Sequence, residues 1–85
     1  MPQIEIYTQP WCPYCDRAMR LLTRKGVAFH EINAPHGSPE RAKAVALSGK
    51  TSVPQIVIDG ALVGGCDDLM ALERAGKLDA MLALV

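Results

Sequence analysis

Cys12 and Cys15 enclose Pro13 and Tyr14 at the point where a β-like run, with Ile4, Ile6 and Tyr7, gives way to a helical pattern. If a helix begins at Cys12, three residues carry the chain about one turn, so both sulfurs lie at one end and within reach of a disulfide. The first sulfur then meets unpaired backbone N–H groups and the positive end of the helix dipole. That surrounding favours the thiolate, the form that attacks disulfides and binds metal. Cys12 is the candidate nucleophile and Cys15 its partner. Pro13 suits the first helical position, where an N–H has no intrahelical acceptor. The spacing alone still allows a disulfide, a metal clip or a redox pair.

The chain around this motif has 85 residues, nearly half of them apolar, and a formal net charge of zero. That length predicts one domain over residues 1–85. Zero net charge removes the electrostatic reason to expect nucleic acid or an anionic membrane as a partner. Met1 leads directly into a strand, and the apolar stretches are too short to span a bilayer, so the expectation is a cytoplasmic monomer. Three cysteines are an odd number for a framework of structural disulfides, which leaves redox chemistry or metal. Tetrahedral zinc would need two further ligands, and His30, His36 and Cys66 do not form a second close pair. No metal is expected.

The elements that must position the cysteines follow from periodicity and punctuation. Ile4 to Thr8 reads as a strand; Cys15, Ala18, Met19 and Leu22 follow at helical spacing until Gly26. Val27 to Ile32 is a second β-like run, and strand–helix–strand of this length predicts parallel strands joined by a right-handed crossover. Ser38 caps a helix that opens with Pro39 and Glu40 and stops at Gly49. Ile56–Ile58 and Ala61–Val63 flank Asp59-Gly60, the signature of a tight antiparallel hairpin. Gly64-Gly65 leads into a helix from Cys66 to about Arg74, with Asp67 and Asp68 in its first turn. Gly76 separates a fourth helix in which Leu78, Met81, Leu82 and Val85 repeat at helical spacing. The sum is an α/β fold: a four-stranded mixed sheet, βαβ then β-hairpin, flanked by helices on both faces. With Cys-x-x-Cys at the first strand–helix junction, this is the thioredoxin arrangement.

Three separated segments sharpen that reading: Cys12-Pro13-Tyr14-Cys15, Thr51-Ser52-Val53-Pro54 and Gly64-Gly65-Cys66-Asp67-Asp68. In order and interval they resemble the dithiol glutaredoxins, and the likeness runs through the whole chain. The resemblance implies a glutathione-dependent thiol–disulfide oxidoreductase, with glutathione as co-substrate and glutathionylated or disulfide-containing proteins as partners. Cys12 would attack, and Cys15 would release substrates that require two electrons.

The same resemblance implies a glutathione groove. Val53 would pair its backbone with the cysteinyl residue, beside a cis peptide bond to Pro54. Gly65, Cys66 and Asp67 would form the end that takes the γ-glutamyl head, with the backbone N–H groups of Cys66 and Asp67 on its carboxylate and the Asp67 side chain on its amine. Without the resemblance, Pro54 is a turn residue and Asp67 and Asp68 are helix caps. Asp68 is expected to cap in either case, and Cys66 to contribute only its backbone. Tyr14 offers a wall to the ligand, while Trp11 either lines the groove or covers the sheet edge. The two histidines are unassigned boundary residues.

Gln9 departs from the family pattern, which has lysine three residues before the first cysteine, at the glycyl carboxylate of glutathione. Lys50, ahead of Thr51, is the candidate to compensate. Asp16 places a carboxylate one residue after Cys15, where it disfavours a nearby thiolate. Two rivals remain in view: a dimer that shares a glutathione-ligated [2Fe–2S] cluster, and a thioredoxin-like reductant served by a flavoprotein. Pro13 is associated with the redox members of the family. The helix start at Cys66-Asp67-Asp68 would be idle in a thioredoxin-like reductant.

Overall fold

Alternating apolar residues on the central strands supply both faces of the sheet with a core, and the helices divide accordingly. The structure, a computed structural model, describes residues 2–84. Its elements run β1 (Ile4–Thr8), α1 (Pro13–Arg24), β2 (His30–Asn33), α2 (Pro39–Ser48), β3 (Gln55–Ile58), β4 (Ala61–Gly64), α3 (Cys66–Arg74) and α4 (Leu78–Met81). The sheet order is β2-β1-β3-β4, parallel between β1 and β2 and antiparallel elsewhere. Ile4, Ile6, Ile56 and Ile58 face one way, into a core with Ala18, Leu21 and Leu22 of α1, Leu69 of α3, and Leu78 and Leu82. Tyr7 and Val57 face the other way, against Ala34 and Ala44 of α2. This is the expected thioredoxin fold, with helices on both faces.

Local chemistry explains most boundaries. Ser38 Oγ accepts the Arg41 N–H at 3.1 Å, so α2 opens on a side-chain cap with Pro39 in its first turn. Asp59 and Gly60 both hold positive φ, 50° and 80°, as a two-residue hairpin turn with the twist of its strands requires. At the far end of α1, Lys25 Nζ bridges Glu73 at 2.8 Å and Asp79 at 2.7 Å, tying this helix to α3 and α4.

Two expectations need correction. The second strand is His30–Asn33, not Val27 to Ile32, because the end of α1 takes the first part of the run. The Val27 N–H reaches back to Leu22 O, and Val27 and Phe29 pack half-buried against the core without pairing. The fourth helix is a single turn. Leu78 and Leu82 are buried as the spacing predicts, but Met81 is exposed and Ala83 turns left-handed at φ 60°; Val85 lies outside the described residues. Among the described residues no helix is long and apolar enough to cross a membrane.

The register brings the three motif segments together. Tyr7 pairs with Gln55, and Ile56 with Gly64. The chain leaving β1, the chain entering β3 and the chain leaving β4 therefore meet at one end of the sheet.

Candidate active site

Cys12 is the N-cap of α1, with extended backbone (φ −111°, ψ 101°), and the Cys15 N–H donates to its sulfur at 3.1 Å. Pro13 holds the first helical position, as its type predicts, with Cys12 as the cap before it. Cys12 Sγ also lies 3.8 Å from the carbonyl oxygen of Val53. All three cysteines are free thiols. Cys15 is one turn inside and only 1% exposed. Burial pushes its thiol up to about 12, and the hydrogen bond and charge of Cys12 add to the rise against an opposing bond from the Gln9 backbone. The inner sulfur is therefore held protonated at neutral pH.

Val53, whose carbonyl Cys12 Sγ approaches, lines a groove of about 370 Å³, within the roughly 300–1,000 Å³ of small-molecule sites; Cys12 and Cys15 are not themselves among its lining residues. Tyr14, Lys50, Val53, Pro54, Gly65, Cys66 and Asp67 line it, together with Ser52, Gln55 and Asp68. The Val53–Pro54 peptide bond is cis. Tyr14 is 55% exposed, and the Arg17 guanidinium lies over its ring, 5.6 Å from the centroid.

The α3 end of the groove is built on two glycines. Gly64 has φ 118°, and a Cβ there would collide with the Asp68 carboxylate. Asp68 Oδ2 accepts the Gly65 N–H at 3.0 Å and satisfies one donor of the helix start, the capping role expected of it. The exposed Asp67 carboxylate has no such bond among the described residues and is available to a ligand. Cys66 is buried in the α1–α3 core. Burial raises its thiol above the ordinary value, opposed by Arg17.

Two of the expected ligand-binding residues lie outside the groove lining. Gln9 borders a neighbouring depression with Trp11, and the backbone of Thr51 turns inward. Both are explained by a residue that sequence reasoning missed. Arg41 of α2 is 6% exposed and donates to Gln9 Oε1 at 2.8 Å, Ala34 O at 2.7 Å, and Thr51 O at 3.1 and 2.8 Å. No carboxylate pairs with it among the described residues. A buried positive charge therefore stands behind Gln9 and Thr51 and fastens three loops together. Gln55 was missed as well. It is 2% exposed, its Nε2 donates to Ser52 O at 3.0 Å, and its Oε1 has no partner among the described residues.

Trp11 neither lines the groove nor covers the sheet edge; it is 98% exposed, on left-handed backbone at φ 61°. His30 and His36 are exposed. Among the described residues no three His, Cys, Asp or Glu side chains are gathered as metal donors.

This geometry has known relatives. The sequence pattern of one protein family, Glutaredoxin, matches residues 4–63. A glutaredoxin of Pseudomonas aeruginosa is 62% identical over 84 residues, covering 98% of this chain and 99% of that protein. Glutaredoxin 3 of Escherichia coli K12 is 49% identical over 82 residues, covering 96% and 99%. Among solved structures, the buckwheat glutaredoxin–glutathione complex superposes with a TM-score of 0.87 at 29% identity, covering 96% of this chain and 77% of that one. With the family pattern matched over residues 4–63 and relatives 62% and 49% identical along nearly their whole length, the chain belongs to the glutaredoxin family of glutathione-dependent thiol–disulfide oxidoreductases.

Proposed function

We propose that Cys12 is the attacking sulfur and that the groove beside it binds glutathione, so that the chain reduces protein–glutathione mixed disulfides. The observation that carries this reading is the position of Cys12 Sγ. It lies between the Cys15 N–H at 3.1 Å and the Val53 carbonyl at 3.8 Å, and Val53 lines a groove of about 370 Å³. A donor aimed at the sulfur suits a thiolate, both as nucleophile and as leaving group.

The Cys12 thiolate attacks the glutathione sulfur of the substrate. A Cys12–glutathione disulfide forms, the substrate S–S bond breaks, and the substrate cysteine leaves as a thiolate and takes up a proton. A second glutathione thiolate then attacks the glutathione sulfur on Cys12, releasing glutathione disulfide and the Cys12 thiolate. One free glutathione is consumed, and the other half of the glutathione disulfide is the glutathione that came from the substrate. With a protein disulfide as substrate, Cys12 forms a mixed disulfide with one protein sulfur. Cys15 then loses its proton and attacks Cys12, freeing the second protein thiol and leaving a Cys12–Cys15 disulfide that two glutathiones reduce.

Within the groove, the Val53 backbone pairs with the cysteinyl residue of glutathione, Pro54 borders the sulfurs, and Tyr14 forms a wall. Lys50 meets the glycyl carboxylate; Gln9 and Thr51 support that end, backed by the Arg41 charge. The N–H groups of Cys66 and Asp67 receive the γ-glutamyl carboxylate beside Gly65, whose own N–H is held by Asp68, and the Asp67 side chain receives its ammonium. The glutathione bound to the buckwheat relative supports this assignment. Three cysteines are an odd number for a framework of structural disulfides, which supports the cytoplasm as the proposed location.

The test is to trap the intermediate. Cys15→Ser protein mixed with a glutathionylated peptide should accumulate one glutathione, which peptide mapping places on Cys12. An adduct on Cys66, or none, would remove Cys12 from the role.

A further inference from the structure

Three arginines, Arg17, Arg20 and Arg24, lie within about 60° of one another around α1, given 3.6 residues per turn. All are exposed, and among the described residues none forms an ion pair. Of the acids on α3 and α4, Glu73 and Asp79 bind Lys25 and Asp68 caps α3, while Asp67 lines the groove. On α1 itself one carboxylate, Asp16, flanks the stripe. A chain of zero net charge has thus segregated three positive charges onto the helix that begins at its nucleophile. They border a shallow depression of about 540 Å³ with Met19 and Thr23. The stripe is continuous with the groove, because Arg17 covers Tyr14, a groove-lining residue.

We propose that this face of α1 is the docking surface for protein substrates and that it takes a segment bearing aspartates or glutamates near the cysteine to be reduced. The inference rests on Cys12 as the attacking sulfur. Along the helix, Arg17 and Arg24 stand about 8 and 18 Å from Cys12 at 1.5 Å per residue. An extended peptide rising about 3.3 Å per residue covers that distance in about two to six residues. The acidic positions should therefore fall about two to six residues from the reacting cysteine. Exposed arginines of this kind add selectivity and encounter rate, and salt weakens them. They are not needed for chemistry on a small disulfide.

The experiment compares two glutathionylated peptides that differ only in carrying Asp or Asn at those positions, with the cysteine–glutathione disulfide as a small control. Wild type at low ionic strength should favour the acidic peptide by about tenfold in kcat/KM, from a few surface charges acting together. The preference should fall to about twofold in Arg20→Gln/Arg24→Gln and at high salt, persist in Arg20→Lys/Arg24→Lys, and leave the control unchanged throughout. Equal rates on the two peptides with wild type, or an undiminished preference in the Gln variant, would overturn the proposal. So would oligomers that dissociate in the Gln variant, or a DNA oligonucleotide bound by wild type in place of the acidic peptide. Failure of wild type on the small control would instead remove the thiol chemistry itself, and the docking role with it.

Discussion

The Cys15 backbone N–H donates to Cys12 Sγ at 3.1 Å while the Cys15 thiol is buried one turn below. One residue thus serves the outer sulfur through its backbone and withholds its own sulfur from solvent. The two cysteines of the motif are unequal by construction, which supports the separate roles proposed for them.

That inequality is measurable with alkylating reagents. Iodoacetamide at neutral pH should modify Cys12 and leave Cys15 and Cys66 unreacted until the protein unfolds, as peptide mapping would read. Stability should carry the same signature. The Cys15 thiol rises from 9.0 to about 12 in the folded protein, so only the unfolded state ionises it as pH climbs past 9. Its contribution is complete below pH 9 and is lost progressively towards 12. Reduced wild type should therefore lose melting temperature over that range more steeply than Cys15→Ser.

Arg41 should matter more than its absence from the groove suggests. Its guanidinium satisfies the carbonyls of Ala34 and Thr51 and holds Gln9. Arg41→Leu strips a charged donor from several acceptors at once and should cost about 2–4 kcal/mol in a thermal melt. Arg41→Lys cannot reproduce the planar fork and should recover only part of that loss. In both variants KM for glutathione should rise, because the Thr51–Pro54 loop and the charge behind Gln9 are disturbed together.

How much of this was legible in the sequence depends on how local each cause is. The Asp59-Gly60 hairpin and the Ser38-Pro39 helix start were readable because the residues that determine them sit within one turn. Val27 and Phe29 misled, since apolar side chains serve a core whether or not their backbone pairs. Arg41 could not be read: its acceptors at positions 9, 34 and 51 are mostly backbone carbonyls, which carry no sequence identity. The groove was legible only through the family likeness, as nothing in spacing alone brings positions 53 and 66 beside position 12. Gln9 and Thr51, expected from the likeness to bind glutathione, lie behind the groove lining, where Arg41 engages both.

The two adjacent glycines should respond differently. Gly64→Ala faces both a positive φ and the Asp68 carboxylate, and should destabilise by about 2 kcal/mol or more. Gly65→Ala meets only ordinary contact with Pro54 O at 3.5 Å; it should fold normally and raise KM for glutathione. Chemical denaturation separates the first effect, and steady-state kinetics the second.

Asp67 and Lys50 frame the two charged ends of the proposed ligand. Asp67→Asn should raise KM for glutathione about tenfold, the worth of one charge-assisted hydrogen bond, with melting temperature nearly unchanged because the side chain is exposed. Lys50→Ala should raise it less, since Arg41 remains behind the same end of the groove. An unchanged KM in either variant would remove that residue from the glutathione site.

The central claim is that Cys12 alone carries the exchange with glutathione and that Cys15 serves only two-electron substrates. The direct measurement is turnover of a glutathionylated protein, with glutathione as reductant, by Cys12→Ser and Cys15→Ser side by side. The expected result is no turnover for Cys12→Ser and substantial turnover for Cys15→Ser, with the latter failing only on protein disulfides. Loss of deglutathionylation in both variants would contradict the claim, because glutathione would then not be the thiol that resolves Cys12.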